Sequence, residues 1–333
     1  MLRFPRCIVV LLACVLAAGV AHAQWTWTPQ TKRFTRMKKL PKETPELQIE
    51  FARGLMMQGD LRKAWDETSK FNDFYGDSDM ADQNQFLRGE IRMKQRKWKD
   101  ASKEFQHLLT TYPETALYND AIKKQYEIGD FLYERGLKKV KHWWNPLRKR
   151  MLRRATETYA MVIQNQPFTP AAAEAQFKVG LCHEASKEYT EACFEYRRVL
   201  EDYKDSDWVD KACFGLATCY YKGSLPAPYD QTPSELAVRA IDDFIDRYPD
   251  DARVADLKQK RQEMRDKTAT QRLQTARFHE KRREFESARI YYQLLVDQYA
   301  DTASFKPAQA WLAAHPKNET KARAEITKLR ELQ

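Results

Sequence analysis

An all-α fold of repeated helical hairpins is what this sequence predicts, and three observations predict it. The composition is 43% hydrophobic and 31% charged with only 10 Gly and 14 Pro, which suits packed helices and excludes a disordered or sheet-rich chain. Between Leu273 and Thr302 the residues Ala288, Tyr292, Leu295, Val296 and Tyr299 recur at helical spacing, one apolar stripe of a 3.6-residue period. The third observation is that this pattern returns along the chain. An alanine is followed eleven residues later by tyrosine at Ala64 and Tyr75, Ala101 and Tyr112, Ala192 and Tyr203, Ala237 and Tyr248, and Ala288 and Tyr299. A hairpin buries only one side of each helix, so such units must stack.

The first 23 residues stand apart from the repeats. Arg3 and Arg6 form a basic start, Ile8 to Val20 an apolar core, and Ala21-His22-Ala23 a small-residue cleavage site. The apolar run is too short to span a bilayer, so the expectation is an export signal with Gln24 as the mature N-terminus. Leu11-Leu12-Ala13-Cys14 also resembles a lipoprotein box that would place a lipid on Cys14, but the apolar run continues past that cysteine. Loss of Arg3 and Arg6 lowers the formal charge from +10 to +8. A basic exported protein can meet anionic lipid, cell-wall polymer or an acidic partner, and export argues against nucleic acid.

Residues 24–45 form a basic leader containing Trp25 and Trp27, with little periodicity and with Pro29, Pro41 and Pro45 as punctuation. From 46 to 120 two hairpins are expected around Ala64 and Ala101. From 121 to 315 four more follow, with Ala155 opening a weaker copy in which Gln166 replaces the tyrosine. Fourteen residues after each alanine stands Ser78, Thr115, Thr169, Ser206, Asp251 or Thr302, residue types suited to capping the next helix. The first helices agree, pairing an apolar residue with a small one three later: Ile49 and Ala52, Phe86 and Gly89, Tyr126 and Gly129, Phe177 and Gly180, Phe214 and Ala217, Leu273 and Ala276.

Spacing sets the type. Ala64 to Ala101 and Ala155 to Ala192 are each 37 residues, near the tetratricopeptide period. The longer intervals locate insertions at 138–150 and at 223–234, and a lengthened helix before Leu273. A polar helix over 316–333 is expected to cap the array.

The four mature cysteines are Cys182, Cys193, Cys213 and Cys219. An oxidising compartment permits a bridge between Cys182 and Cys193, and buried free thiols fit the same positions. No phosphate loop, no nucleophile elbow and no zinc-protease motif occurs. His183-Glu184 is isolated, and His107, His142, His279 and His315 are scattered, so the chain is expected to need no cofactor or metal and not to be an enzyme.

Repeat arrays bind along an extended concave surface. The most unusual local feature is the insertion KKVKHWWNPLRKR, with Lys138, Lys139, Lys141, Trp143, Trp144, Arg148, Lys149 and Arg150. Such residues can seat a segment on an anionic membrane or dock an acidic protein. They can equally pack the tryptophans into the array and leave the charges solvated.

The stretch ACFGLATCYYKGSLPAPYDQTPSELAVRAIDDFIDRYPDDARVADLKQKRQEMRDK, together with the hairpin at Leu273 to Thr302, resembles the BamD (YfiO) family of outer-membrane β-barrel assembly proteins. The resemblance runs from about Ala155 to Ala314 and includes the Tyr-Tyr helix end, the Asp-Gln-Thr loop, the Tyr-Pro-Asp repeat end and the long charged helix. It implies a scaffold in the periplasm, associated with the outer membrane. There it would bind the POTRA domains of the barrel-forming subunit and handle unfolded outer-membrane proteins. It also implies that the basic turn Lys281, Arg282 and Arg283 lies in the partner contact, Arg283 standing where the family has a turn glycine. The alternative function is a scaffold coordinating cell-wall synthesis or cell division.

Overall fold

The computed structural model describes residues 25–28, 32–36, 40–138 and 146–316. Two short strands, β1 (Trp25–Thr28) and β2 (Arg33–Arg36), pair antiparallel with Trp25 opposite Arg36. The leader therefore holds a small ribbon that lack of helical periodicity had left without structure. Trp27 and Phe34 face each other across it at 5.2 Å, both still more than half exposed.

Thirteen helices follow among the described residues. They are α1 (Pro45–Met57), α2 (Leu61–Tyr75), α3 (Ala81–Lys94), α4 (Trp98–Thr111), α5 (Tyr118–Leu137) and α6 (Pro146–Asn165). Then come α7 (Pro170–Ala185), α8 (Tyr189–Asp202), α9 (Val209–Gly223), α10 (Thr232–Arg247), α11 (Val254–Lys281), α12 (Phe285–Gln298) and α13 (Phe305–Ala314). Among the described residues the helices form an all-α tetratricopeptide-like array of six hairpins with one further helix. The chain divides into two compact units, up to Leu132 and from Tyr133.

The six alanines are the crossing points of the hairpins. Ala64, Ala101, Ala155, Ala192, Ala237 and Ala288 are each fully buried. Small residues on the first helices admit the aromatic rings of the second: Gly89 lies under Phe105 and Gly180 under Tyr196. In unit two Tyr196 also meets Gly215 of the next hairpin, so one ring packs within and between repeats.

A second device recurs at 19-residue spacing. A buried glutamine on the first helix donates to a backbone carbonyl and to a glutamate on the second. Gln48 reaches Glu67 O and Oε2 at 2.9 Å each, and Gln85 reaches Glu104 O at 2.9 and Oε2 at 2.8 Å. Gln176 and Glu195 repeat it. Each glutamine amide N–H thus finds an acceptor pair, which offsets the cost of burying the donor.

Four of the hairpin turns share one backbone shape. The N–H of Asp60, Lys97, Glu188 and Glu284 donates five residues back, to Leu55, Arg92, His183 and His279. That is the Schellman closure, which needs a left-handed residue at the turn. Gly59 takes φ +86°, and at the same position Arg96, Lys187 and Arg283 take +58°, +63° and +61°. Three basic residues thus take the conformation that glycine holds at the first turn.

Of the six residues fourteen after an alanine, one caps its helix as expected and four act two positions ahead of the helix cap. Thr169 is an N-cap, accepting from Ala172 N. Ser78, Thr115, Ser206 and Asp251 instead accept from the N–H two residues on, at Met80, Leu117, Trp208 and Arg253. Each closes a tight turn before its helix begins.

The loop 224–231 between α9 and α10 is held by Gln231, whose buried amide donates to Pro226 O and Tyr229 O. The lengthened helix is present as the 28-residue α11. The last described helix, α13, packs on α12 through Tyr292 and Trp311, rings 4.4 Å apart. Residues 316–333 were expected to cap the array, and 317–333 lie outside the described residues. Cys182, Cys193, Cys213 and Cys219 are buried free thiols. Cys193 shares a core cluster with Cys219 of the following hairpin.

Candidate functional site

Two surfaces gather the basic residues singled out by sequence. One is the α11–α12 turn. Lys281 ends α11, Arg282 is its C-cap and Arg283 is the left-handed turn residue. Cations suit this end of a helix, where the carbonyl dipoles point outward. Arg282 stays 60% exposed while its Nε donates to Glu284 Oε1 at 2.7 Å. Its guanidinium also lies 5.4 Å from the Phe278 ring. Phe278 and Phe285 flank the turn and are both largely exposed, as is Ile290 one turn further along α12. Exposed aromatics beside an arginine form the residue mix of interface centres.

Behind the turn the side chains are tied to one another. His279 Nδ1 lies 2.7 Å from Glu284 Oε2, and its ring stacks on Tyr291. The hydrogen bonds from His279 and from Arg282 hold the Glu284 carboxyl below its ordinary value. Tyr292 donates to Glu280 Oε2 at 2.7 Å. The α7–α8 hairpin carries the same set: His183 with Glu188 at 3.0 Å and Tyr196 donating to Glu184 at 2.9 Å. The repeated His-x-x-x-x-Glu spacing was the available sequence signal for this staple. It accounts for His183 and His279 as turn-fixing residues.

The second surface is the start of α6. Of the insertion, Lys139, Lys141, Trp143 and Trp144 lie outside the described residues, while Lys138 is exposed just after α5. Arg148, Lys149 and Arg150 are in the first turns of α6 rather than in a loop, because Pro146 starts a helix there. Arg148 donates to Ala185 O at 3.0 Å, tying the helix start to the end of α7. Lys149 and Arg150 then line a cleft of ≈ 460 Å³ with Arg153, Thr156, His183, Ser186 and Glu188. The structure places the two basic sets on different hairpins, so they are separate surfaces. Among the described residues, no three His, Cys, Asp or Glu side chains converge as a metal site requires, and no helix is long and apolar enough to cross a membrane.

The model of the family described as YfiO, outer membrane lipoprotein, matches residues 141–328. The outer membrane protein assembly factor BamD of Caulobacter vibrioides is 21% identical over 177 residues, a match covering 52% of this chain and 58% of that protein. The chain thus spans a little over half the length of that relative. Among solved structures, a tetratricopeptide repeat protein from Parabacteroides merdae is 16% identical, covering 75% of this chain and 91% of its own, at a TM-score of 0.32. YrrB, a tetratricopeptide protein with an unusual peptide-binding site, is 18% identical, covering 66% and 93%, at a TM-score of 0.34.

Proposed function

The chain belongs to the YfiO family of outer membrane lipoproteins, and from that membership we propose that it serves outer-membrane β-barrel assembly. Family and fold are those of protein-binding scaffolds, not of enzymes. In this reading the protein works in the periplasm at the outer membrane. Its last full hairpin docks a POTRA domain of the barrel-forming subunit, and the array holds unfolded barrel proteins for hand-over.

The observation that carries the reading is the α11–α12 turn, which lies inside the family match and presents Arg282 between Phe278 and Phe285. An exposed guanidinium over an exposed ring loses little on desolvation and offers a fork to a partner carboxylate. The apolar rings supply the burial that a surface ion pair lacks.

Site-specific photocrosslinking from position 282 in cells tests the proposal. Recovery of a POTRA-containing barrel protein is the expected result. Recovery of cell-wall synthesis or division proteins in its place would move the scaffold to that other envelope task and overturn the reading.

A further inference from the structure

The basic cleft at the start of α6 has no part in the reading above, and it is too specifically built to be a solvated helix face. Lys149, Arg153 and Thr156 follow one another at i, i+4 and i+7, so one stripe of α6 faces the α7–α8 turn. The opposite wall is His183, Ser186 and Glu188. Arg148 sets the angle of that stripe by donating to Ala185 O.

The charges in the cleft are not spent on one another. Three permanent cations, Lys149, Arg150 and Arg153, face one carboxylate, Glu188. Glu188 is already engaged by His183 Nδ1 at 3.0 Å, and it stands 3.9 Å from Lys149 Nζ, beyond hydrogen-bond reach. Arg153 Nε is 3.7 Å from Glu157, again an approach without a hydrogen bond. The Lys149 and Arg153 side chains remain 70% and 71% exposed. Cations held this loosely, in a concavity that focuses their field, are available to an anionic ligand.

We propose that this cleft binds an extended acidic segment of a partner protein, carrying carboxylates at alternate positions. The spacing argues for that chemistry. Helical neighbours at i and i+4 are about 5–6 Å apart at their β-carbons. Alternate side chains of an extended chain lie on one face about 6.6 Å apart. Two carboxylates of an acidic-x-acidic run therefore meet Lys149 and Arg153 in register, with Arg150 beside them. Arginine forks take carboxylates in pairs of hydrogen bonds, which gives the contact orientation as well as charge.

A flat membrane is the other anionic surface available, and α6 is poorly made for it. An interfacial helix buries a broad apolar face, whereas Leu147 is the one large apolar side chain exposed along α6. The cleft also has walls, which a headgroup layer does not need.

Fluorescence anisotropy with the mature chain and a labelled peptide of alternating Glu and Ser tests this, with the Gln/Ser peptide as its neutral counterpart. The acidic peptide is expected to bind and to weaken with salt, the neutral one to fail. Lys149→Gln, Arg150→Gln and Arg153→Gln together are expected to cut affinity at least about tenfold. The helical circular dichroism should be unchanged, since all three side chains are exposed. Arg282→Glu, on the other surface, should leave peptide affinity alone, so this test fails or succeeds apart from the barrel-assembly reading. Equal affinity of the two peptides, or of the native and triple-variant chains, would overturn the proposal. So would absent peptide binding together with sedimentation on phosphatidylglycerol vesicles that the triple variant loses.

Discussion

Gly180 and Tyr196 meet so closely that a β-carbon on Gly180 would stand 2.5 Å from Cε1 of the tyrosine ring. The ring cannot retreat, because Gly215 lies against its other edge and its hydroxyl donates to Glu184. Glu184 is held in turn by Lys222 Nζ at 2.6 Å. Gly180→Ala is therefore expected to destabilise unit two by about 1–3 kcal/mol, the usual cost of overpacking. Gly54→Ala in α1, where nothing lies within 4 Å, is expected to stabilise by about 0.5–1 kcal/mol through helix propensity alone. Urea unfolding of both variants checks the contrast.

The hairpin turns supply a second pair of opposite effects. Arg283 holds φ +61° at the cost an L-residue bears in the left-handed region. Arg283→Gly removes that cost and adds some unfolded-state entropy, for a net gain of about 0.5–1 kcal/mol. Gly59→Ala, at φ +86° with open space around it, should lose about 1 kcal/mol for conformational reasons only. Melting temperatures moving in the same direction for both would contradict the shared turn geometry.

Acid should weaken the array through its paired carboxylates. Asp251 accepts from Arg253 N, Nε and Nη2, and those hydrogen bonds lower its carboxyl from 3.8 to about 2. A depressed folded-state value means that the unfolded chain binds the proton first as pH falls. The stabilisation is thus complete above about 3.8 and is lost as pH drops toward about 2. Asp301, lowered by Arg265, and Glu284 carry the same sign. In melting curves taken across this range, Asp251→Asn should start lower at neutral pH and fall less on acidification. An unchanged acid slope would remove Asp251 from the cause.

Arg282→Glu is expected to abolish partner capture while leaving the helical circular dichroism intact. The native side chain touches Phe278 and Glu284 at the surface and supports no core residue. Capture at the native level would remove Arg282 from the contact.

The intact mass of the exported protein tests the N-terminus. The A-x-A site predicts a chain starting at Gln24, whereas a diacylglyceryl group on Cys14 would match the lipoprotein description of the family. Gln24 is the expected start. Alkylation of the unfolded chain should in the same experiment add to all four cysteines, since each is a free thiol.

The sequence by itself determined the number, order and register of the hairpins. Helical packing is periodic along one chain, so Ala64, Ala101, Ala155, Ala192, Ala237 and Ala288 announce each crossing, and all are fully buried. Breakers over 223–234 likewise marked a loop, which the structure forms at 224–231, and their absence marked the length of α11. Sequence also singled out the turn Lys281 to Arg283 and the basic run Arg148 to Arg150, by composition and resemblance.

Only the tertiary structure decided what these residues face. The Gln85–Glu104 clamp and the His279–Glu284 staple join groups whose meeting depends on helix rotation and turn shape, not on either residue's type. Arg148, Lys149 and Arg150 read alike in the sequence. Folding ties Arg148 to a carbonyl of α7 and turns its neighbours into a cleft with His183. Exposure of Phe278 and Phe285 around Arg282 was equally hidden, because an aromatic at helical spacing marks a core face as readily as a surface. Periodicity reports which side of a helix is buried; the stacking of one hairpin on the next selects the side chains left over to meet a partner.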